Sequence, residues 1–390
     1  MTDPNPPSPH LVIVDFQDIS DPSKDLTNEL ERAIGGRLSL STTDESNAAT
    51  PLGIIAIRNV PGFVEAKNKF LPMAHTLAHL KPEYLQSLED PTSLYNAGWS
   101  HGREKLSAEP DFAKASYYFN PLVDVPGTQE ERDKYPASYP SNKWPNENDL
   151  PQLKEFKQSA QTLGKILHQT VVHLAKHIDA MAAKKVVGYR KDLLFDAMKH
   201  TEKAKGRLLY YYPIDQTKKS QEDNWIGWHN DSGFLTSHAG DLFLDDETSF
   251  PLSPDQIDPE AGLYVTDRAG KSIHVKIPED CMFVQIGECV QILTGGVVVA
   301  TPHCVRGPRA GFGTHCDTAV KVARISCPCF IDSKPSFPLT LPEGCTRENV
   351  CHSGVGREKV PLLEERWLEN GMSFGSFLQK SFEKYYDWSS

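Results

Sequence analysis

The chain has 390 residues, 39% of them hydrophobic and 24% charged, with a net charge of -11. That length can bury one large core or two ordinary ones, and the composition is that of a soluble globular protein. The acidic balance leaves no basic footprint for nucleic acid or an anionic membrane, and no apolar run approaches the roughly 18 residues of a membrane span.

The opening residues, MTDPNPPSPH, have neither the basic nor the apolar region of a secretory signal, and 1–10 read as a disordered tail. LVIVDF (11–16) reads as a short buried strand, and DPSKDLTNELERAIGG has the Asp/Ser start and Gly stop of a helix. PLGIIAIRNVPG (51–62) is a second strand, and VEAKNKFLPMAHTLAHL is helical. Residues 90–146 carry much Pro, Tyr, Trp and Ser without a clear period. They read as ordered loop, because Trp99, Tyr117, Tyr118, Phe119 and Trp144 are too many aromatics for a solvated coil. From Leu150 to about Ala183, Leu153, Phe156, Ala160, Leu163, Leu167 and Val171 recur at steps of three and four, which predicts a long amphipathic helix.

From Arg207 the period changes. RLLYYYP, DLFLDD, GLYVTD, SIHVKI, CMFVQIGE, GVVVATPH and KVARISCPCF are short β-rich runs parted by Gly, Pro and Asp, which predicts an antiparallel sandwich or barrel. The final stretch, VPLLEERWLENGMSFGSFLQKSFEKYYDW, reads as helix. The expected class is α+β, with a double-stranded β-helix (jelly-roll) core flanked by N-terminal and C-terminal helices. The expected organisation is the tail (1–10), an N-terminal α/β region packing on the core (11–200), the core (201–335) and a C-terminal helical extension (336–390). The 8 cysteines all fall between Cys281 and Cys351. They read as reduced, buried thiols in a cytoplasmic setting; adjacent His-Cys pairs leave a zinc site as the alternative.

In GWHNDSGFLT (227–236), His229 and Asp231 lie two apart, so on a strand they share a face. The pair is either half of a metal site or a polar turn at a sheet rim. A second His from another strand would complete a 2-His-1-carboxylate triad, which suits Fe(II) that must also bind cosubstrate and oxygen.

Six motifs stand in order: YYYP (210–213), HNDSGFLT (229–236), GLYV (262–265), PEDCMFVQIGE (278–288), GGVVVATPHCV (295–305) and RISCPCF (324–330). This run resembles the isopenicillin N synthase-like family of Fe(II)/2-oxoglutarate-dependent oxygenases. Weaker echoes upstream, such as LVIVDF, GIIAIRNVPG and SYYFNPL, extend the resemblance over most of the chain. The resemblance implies His229, Asp231 and His303 as metal ligands; His303 follows Gly296 by seven residues, while His315, nine before Arg324, is the alternative third ligand. It implies that Arg324 and Ser326, helped by Tyr212, grip the distal carboxylate of 2-oxoglutarate; a structural salt bridge is the alternative for Arg324. Tyr118, Phe119 and Asn120 align with a segment that can face substrate, joined by Trp99 and His101, with ordinary packing as the alternative reading. Tyr210 and Glu288 stand where the family has Asn and Asp, and loops 246–260 and 306–321 are inserted.

The implied activity is oxidation of a small organic molecule with Fe(II), 2-oxoglutarate and O2, giving succinate and CO2. The expected protein is a cytoplasmic monomer with no nucleic-acid or membrane partner. The alternatives are an oxidase of the same family that does not use 2-oxoglutarate, a non-catalytic metal-binding jelly roll, and a His2Asp zinc hydrolase.

Overall fold

The computed structural model describes residues 10–36, 51–103, 105–106, 109–110, 112–214, 224–309 and 320–385. The expected tail lies outside them except for His10. In the first part of the chain the main elements are β1 (Val12–Asp15), α1 (Thr27–Ile34), β2 (Ile54–Arg58), α2 (Phe63–Phe70), α3 (Met73–Ala78), β3 (Gly98–His101) and β4 (Lys114–Phe119). The middle holds α4 (Phe156–Lys185), α5 (Leu193–Lys199), β5 (Ala204–Tyr211), β6 (Asn224–His229), β7 (Leu235–Asp245), β8 (Gly262–Thr266) and β9 (Ser272–His274). The last part holds β10 (Met282–Ile286), α6 (Glu288–Leu293), β11 (His303–Arg306), β12 (Val322–Ile331) and α7 (Phe374–Tyr385).

Two sheets form the centre. The larger has eight strands in the order β1-β2-β10-β7-β12-β5-β4-β3, and the smaller has four, β9-β8-β11-β6. Every pairing in them is antiparallel except β1 with β2. From β5 to β12 the chain crosses from sheet to sheet, apart from the β8–β9 hairpin, and this winding makes the jelly roll. The N-terminal region enters the large sheet itself, with β1 and β2 beside β10, and β3 and β4 beside β5.

That pairing corrects the loop reading of residues 90–146. All six residues of β4, KASYYF, are buried, so the strand shows no inside-outside alternation in the sequence. The six residues of α6 are likewise all buried, which hid a helix behind CMFVQIGE. GVVVATPH becomes strand only at His303. Pro72 divides the predicted second helix into α2 and α3. The long helix starts later than Leu150: a 3-10 turn spans Pro151–Leu153, and Glu155 adopts a left-handed φ of 65° before α4 begins. The predicted stripe then holds, with Phe156, Ala160, Leu163, Leu167 and Val171 fully or almost fully buried against the large sheet. Near the end of the chain, a strand pair (Pro338–Leu339 with Met372–Ser373) and a 3-10 turn interrupt what reads as continuous helix.

Six of the seven described cysteines are buried, and all seven are free thiols. Among the described residues, no helix is long and apolar enough to cross a membrane. Leu167 anchors α4 with no exposed surface. Leu167→Ala should therefore cost about 2–5 kcal/mol, read as a lower denaturant midpoint at unchanged slope; an unshifted midpoint would contradict this packing.

Candidate metal centre

β6 ends on His229 and β11 begins on His303, and the two are directly paired across the small sheet. That register brings the imidazole centroids to 4.2 Å. Asp231 does not share a strand face with His229, as the two-residue spacing implies. It lies in the loop after β6 and swings back, so that its Oδ1 stands 3.8 Å from His303 Nε2. The ligand-type atoms of His229, Asp231 and His303 all lie within 4.8 Å of one another. Each imidazole donates from Nδ1 to a backbone carbonyl: His229 to Gly227 O at 2.9 Å and His303 to Thr301 O at 3.0 Å. A carbonyl can only accept, so the proton sits on Nδ1 and the Nε2 lone pair is left for a cation. Asp231 Oδ2 has no hydrogen-bond partner among the described residues. Burial and the neighbouring His303 push the His229 imidazole down to about 4. Burial works to raise the Asp231 carboxyl, but His303 and His229 outweigh it and hold the group below the usual carboxylate range. Two imidazoles that turn Nε2 to one point and a buried carboxylate fit a divalent transition metal.

The loop that carries Asp231 is held from behind. The first amides of α6 donate into it, Glu288 N to Asp231 O at 2.8 Å and Cys289 N to Gly233 O at 3.0 Å. Orphan donors of a helix start are thereby satisfied by the ligand loop. Gly287 allows this approach, because a Cβ there would sit 2.1 Å from Gly233 O. Glu288 is gripped at both oxygens by Arg366, Nη1 to Oε2 at 2.6 Å and Nη2 to Oε1 at 2.5 Å. Arg366 also reaches Ser381 Oγ at 3.1 Å and Ser232 Oγ at 3.4 Å. Asn230 turns away from the triad and donates to Glu288 Oε1 at 3.2 Å. Glu288 thus ties the Asp231 loop to the C-terminal extension.

The triad forms part of the wall between two cavities of about 260 Å³ each; His229 and Asp231 line both. Arg324 and Ser326, on one face of β12, line the first. Arg324 is 4% exposed; its Nη2 donates to Asp241 Oδ1 at 2.6 Å, while Nε and Nη1 have no hydrogen-bond partner among the described residues. The salt bridge weighed as its alternative role therefore exists and still leaves two buried donors. Tyr212 is a correction. It packs on His101 and Tyr210, at 5.1 Å from each, whereas Tyr211, paired with Arg324 in register, lines the cavity with its ring 4.7 Å from the guanidinium. Successive residues of a strand face opposite ways, so Tyr210 and Tyr211 cannot share this face. Lys67, His238 and Gln285 also line the first cavity; burial pushes the His238 imidazole down to about 3. His238 was legible in principle, two residues beyond Thr236 on the same strand. The inserted loops meet over this side: Asp258 of the first lines the cavity and accepts from Arg309 of the second, with Nη2 to Oδ1 at 2.9 Å.

Of the five residues proposed for substrate, only Tyr118 faces the second cavity. Phe119 is packed on Phe70 in the core at 5.6 Å, and Trp99 is buried in the same core. Asn120 spends its amide on Glu202 O at 2.7 Å and Leu122 N at 2.9 Å. His101 packs at a tilt on Tyr212 and edge-on against Phe112. His315 lies outside the described residues. Among the described residues one other group, His75, His79 and Asp246, brings ligand-type atoms together. His75 Nε2 bonds Asp246 O at 2.9 Å, His79 Nδ1 bonds His75 O at 2.8 Å and the Tyr210 hydroxyl donates to Asp246 Oδ1, and the group lines neither cavity.

No protein-family model matches the chain. Among curated proteins it is 24% identical over 268 residues to the 2-oxoglutarate-Fe(II) type oxidoreductase ppzD of Metarhizium rileyi, a match covering 65% of this chain and 66% of that protein. The match therefore spans just under two thirds of the relative's length. Among solved structures it resembles a full-length Neurospora crassa protein in complex with alpha-KG and 5-formyluracil, with a TM-score of 0.62 at 16% identity over 97% of this chain and 99% of that one. It also resembles JOX2 in complex with 2OG, Fe and JA (TM-score 0.58, 15% identity, 95% and 84% covered). A third likeness is the dioxygenase for auxin oxidation in rice (TM-score 0.52, 15% identity, 87% and 89% covered). The fold is that of the 2-oxoglutarate-Fe(II) oxygenases.

Two outcomes follow from the site's geometry. Glu288→Gln leaves Arg366 buried without its counter-charge and should cost about 3–5 kcal/mol in unfolding free energy. It should also weaken Mn(II) or Fe(II) binding by about 10–100-fold as the loop loosens; unchanged metal affinity in a titration would show that the loop is held without this pair. The second outcome concerns pH. His229 stays neutral in the folded metal-free chain down to about 4, whereas the unfolded imidazole takes a proton near the ordinary 6.5. Between those values the unfolded chain binds more protons, so metal-free stability should fall as pH drops from 6.5 toward 4, measured as denaturant midpoints across that range.

Proposed function

We propose that the chain is an Fe(II)- and 2-oxoglutarate-dependent oxygenase acting on a small organic molecule. The observation that carries this reading is the convergence of two bare Nε2 atoms and a buried carboxylate beside a cavity that also holds a buried guanidinium with two unspent donors. The 2-oxoglutarate-Fe(II) relative and the complexes of the Neurospora crassa protein and of JOX2 support the same chemistry.

When bound, Fe(II) with 2-oxoglutarate and O2 supplies an oxidative decarboxylation that yields succinate and CO2 and oxidises the substrate. The chain's own part is positioning. His229, Asp231 and His303 hold the metal, and the backbone carbonyls of Gly227 and Thr301 fix their ring orientation. One carboxylate on a dication leaves a positive charge that favours an anionic chelating cosubstrate. Arg324 offers its planar fork to the distal carboxylate, and Ser326 adds a hydroxyl on the same strand face. Leu209, Phe243, Val305 and Phe330 line the first cavity and keep water from the reacting centre. The free thiols support a reducing compartment such as the cytoplasm.

Anaerobic titration with Fe(II) followed by 2-oxoglutarate should give a visible metal-to-ligand charge-transfer band, and air should then release succinate. No band, with succinate at background, sinks the oxygenase reading. His229→Ala should abolish the band. Arg324→Ala should leave iron bound and weaken 2-oxoglutarate by about 10–100-fold, the loss expected for charge-assisted hydrogen bonds.

A further inference from the structure

The second cavity has a charge character that the chain's composition does not predict. Alternate residues of β4 and β5 share the face that looks into it, and the register sets Tyr118 opposite Arg207. Lys114, Lys205, Arg207 and Tyr118 line it from these two strands. Lys205 Nζ lies 5.4 Å and Arg207 Cζ 5.3 Å from the Tyr118 ring centroid, so one aromatic face is flanked by two cations. Arg207 Nε donates to Ser116 Oγ at 3.0 Å, and Lys205 Nζ to Asn96 Oδ1 at 2.8 Å, which brace both side chains in place. Lys203 and Arg103 complete a lining of five cations, and their partners are Asp332 at 3.6 Å and Glu89 at 2.8 Å. Among the described residues the lining holds two carboxylates, Asp231 at the triad and Asp332 beside Lys203. In a chain of net charge -11, this concentration of cations is local and specific. Arg207 reaches both cavities, but Lys114, Lys203, Lys205 and Tyr118 line this one alone, and Arg324 and Ser326 line only the other, so a cosubstrate held by Arg324 and Ser326 does not account for the set.

We propose that this cavity binds a small molecule through a carboxylate seated on Lys205 and Arg207 beside Tyr118. The apolar body of the ligand lies against Ile226, Trp228 and Phe330. Ile226 and Phe330 line both cavities, so a ligand anchored by its acid presents its body to the triad. The guanidinium fork matches a planar carboxylate, and the site's aromatic and aliphatic walls match an apolar remainder. Naming this ligand the substrate rests on the oxygenase reading; the binding itself does not.

The test titrates benzoate, phenylacetate and cyclohexanecarboxylate, each against its primary amide, into the full chain by calorimetry. Titrations are run with and without anaerobic Fe(II) and 2-oxoglutarate. The acids should bind about tenfold or more tightly than the amides, the gain expected from charge-assisted hydrogen bonds. Lys205→Glu should erase that preference and favour benzylamine; Lys205→Gln, which keeps the length of the stem, should erase it without reversal. Equal binding of acids and amides, no acid binding at all, or a preference that survives in a folded Lys205 variant overturns the inference. The wild-type comparison decides it even if both variants misfold. A missing charge-transfer band with the acid preference intact defeats the oxygenase reading alone; a band without the preference defeats this inference alone.

Discussion

The buried Asp231 carboxylate is the constraint around which the rest is arranged. It sits out of water beside two imidazoles whose free lone pairs face the same point, an arrangement that a protein interior resists until a cation enters. The framework supplies what the triad cannot. A cross-strand pair sets the two rings, and backbone carbonyls set their tautomers. The start of α6 holds the loop from behind, and the bidentate Glu288–Arg366 pair closes it. His75, His79 and Asp246 offer the same residue types, but that group is more exposed than the triad and lines neither cavity.

One sheet face organises both cavities. Along β12 and its neighbour β5 it presents Arg324, Ser326, Leu209 and Tyr211, and along β5 and β4 it presents Arg207, Lys205 and Tyr118. A strand period of two is enough to send cations to both sides of the triad without any loop. α4 packs its apolar stripe on the other side of the large sheet. Loops then adjust access, as Arg309 and Asp258 do where the two insertions meet.

Much of this was legible in the sequence, and the failures have physical causes. The ordered run of short β motifs gave the jelly roll, and its motif positions brought His229, Asp231, His303, Arg324 and Ser326 to one place. Tyr212 failed because a motif aligned by letter does not say which way a strand residue points; Tyr211 holds the facing register. Phe119, Asn120 and Trp99 failed because an aromatic-rich segment looks alike whether it faces a cavity or the core. β4 and α6 were invisible as elements because burial on all sides removes the periodicity that marks an edge or a surface. Arg366 carried no local signal at all. Its meaning depends on Glu288, 78 residues earlier, and pairs that distant appear only when the chain is folded.

That separation also sets an order of assembly. A chain grows from its N-terminus, and His303 completes the candidate triad while Arg366 is still 63 residues from being added. A chain of that length would own all three candidate ligand side chains, yet Glu288 would lack its cation and the loop beside it would lack its brace. The ligands are complete well before the geometry is. A mature site therefore belongs to the whole folded chain, and loss of the C-terminal extension would be felt first at the opposite side of Glu288, where Asp231 must hold still.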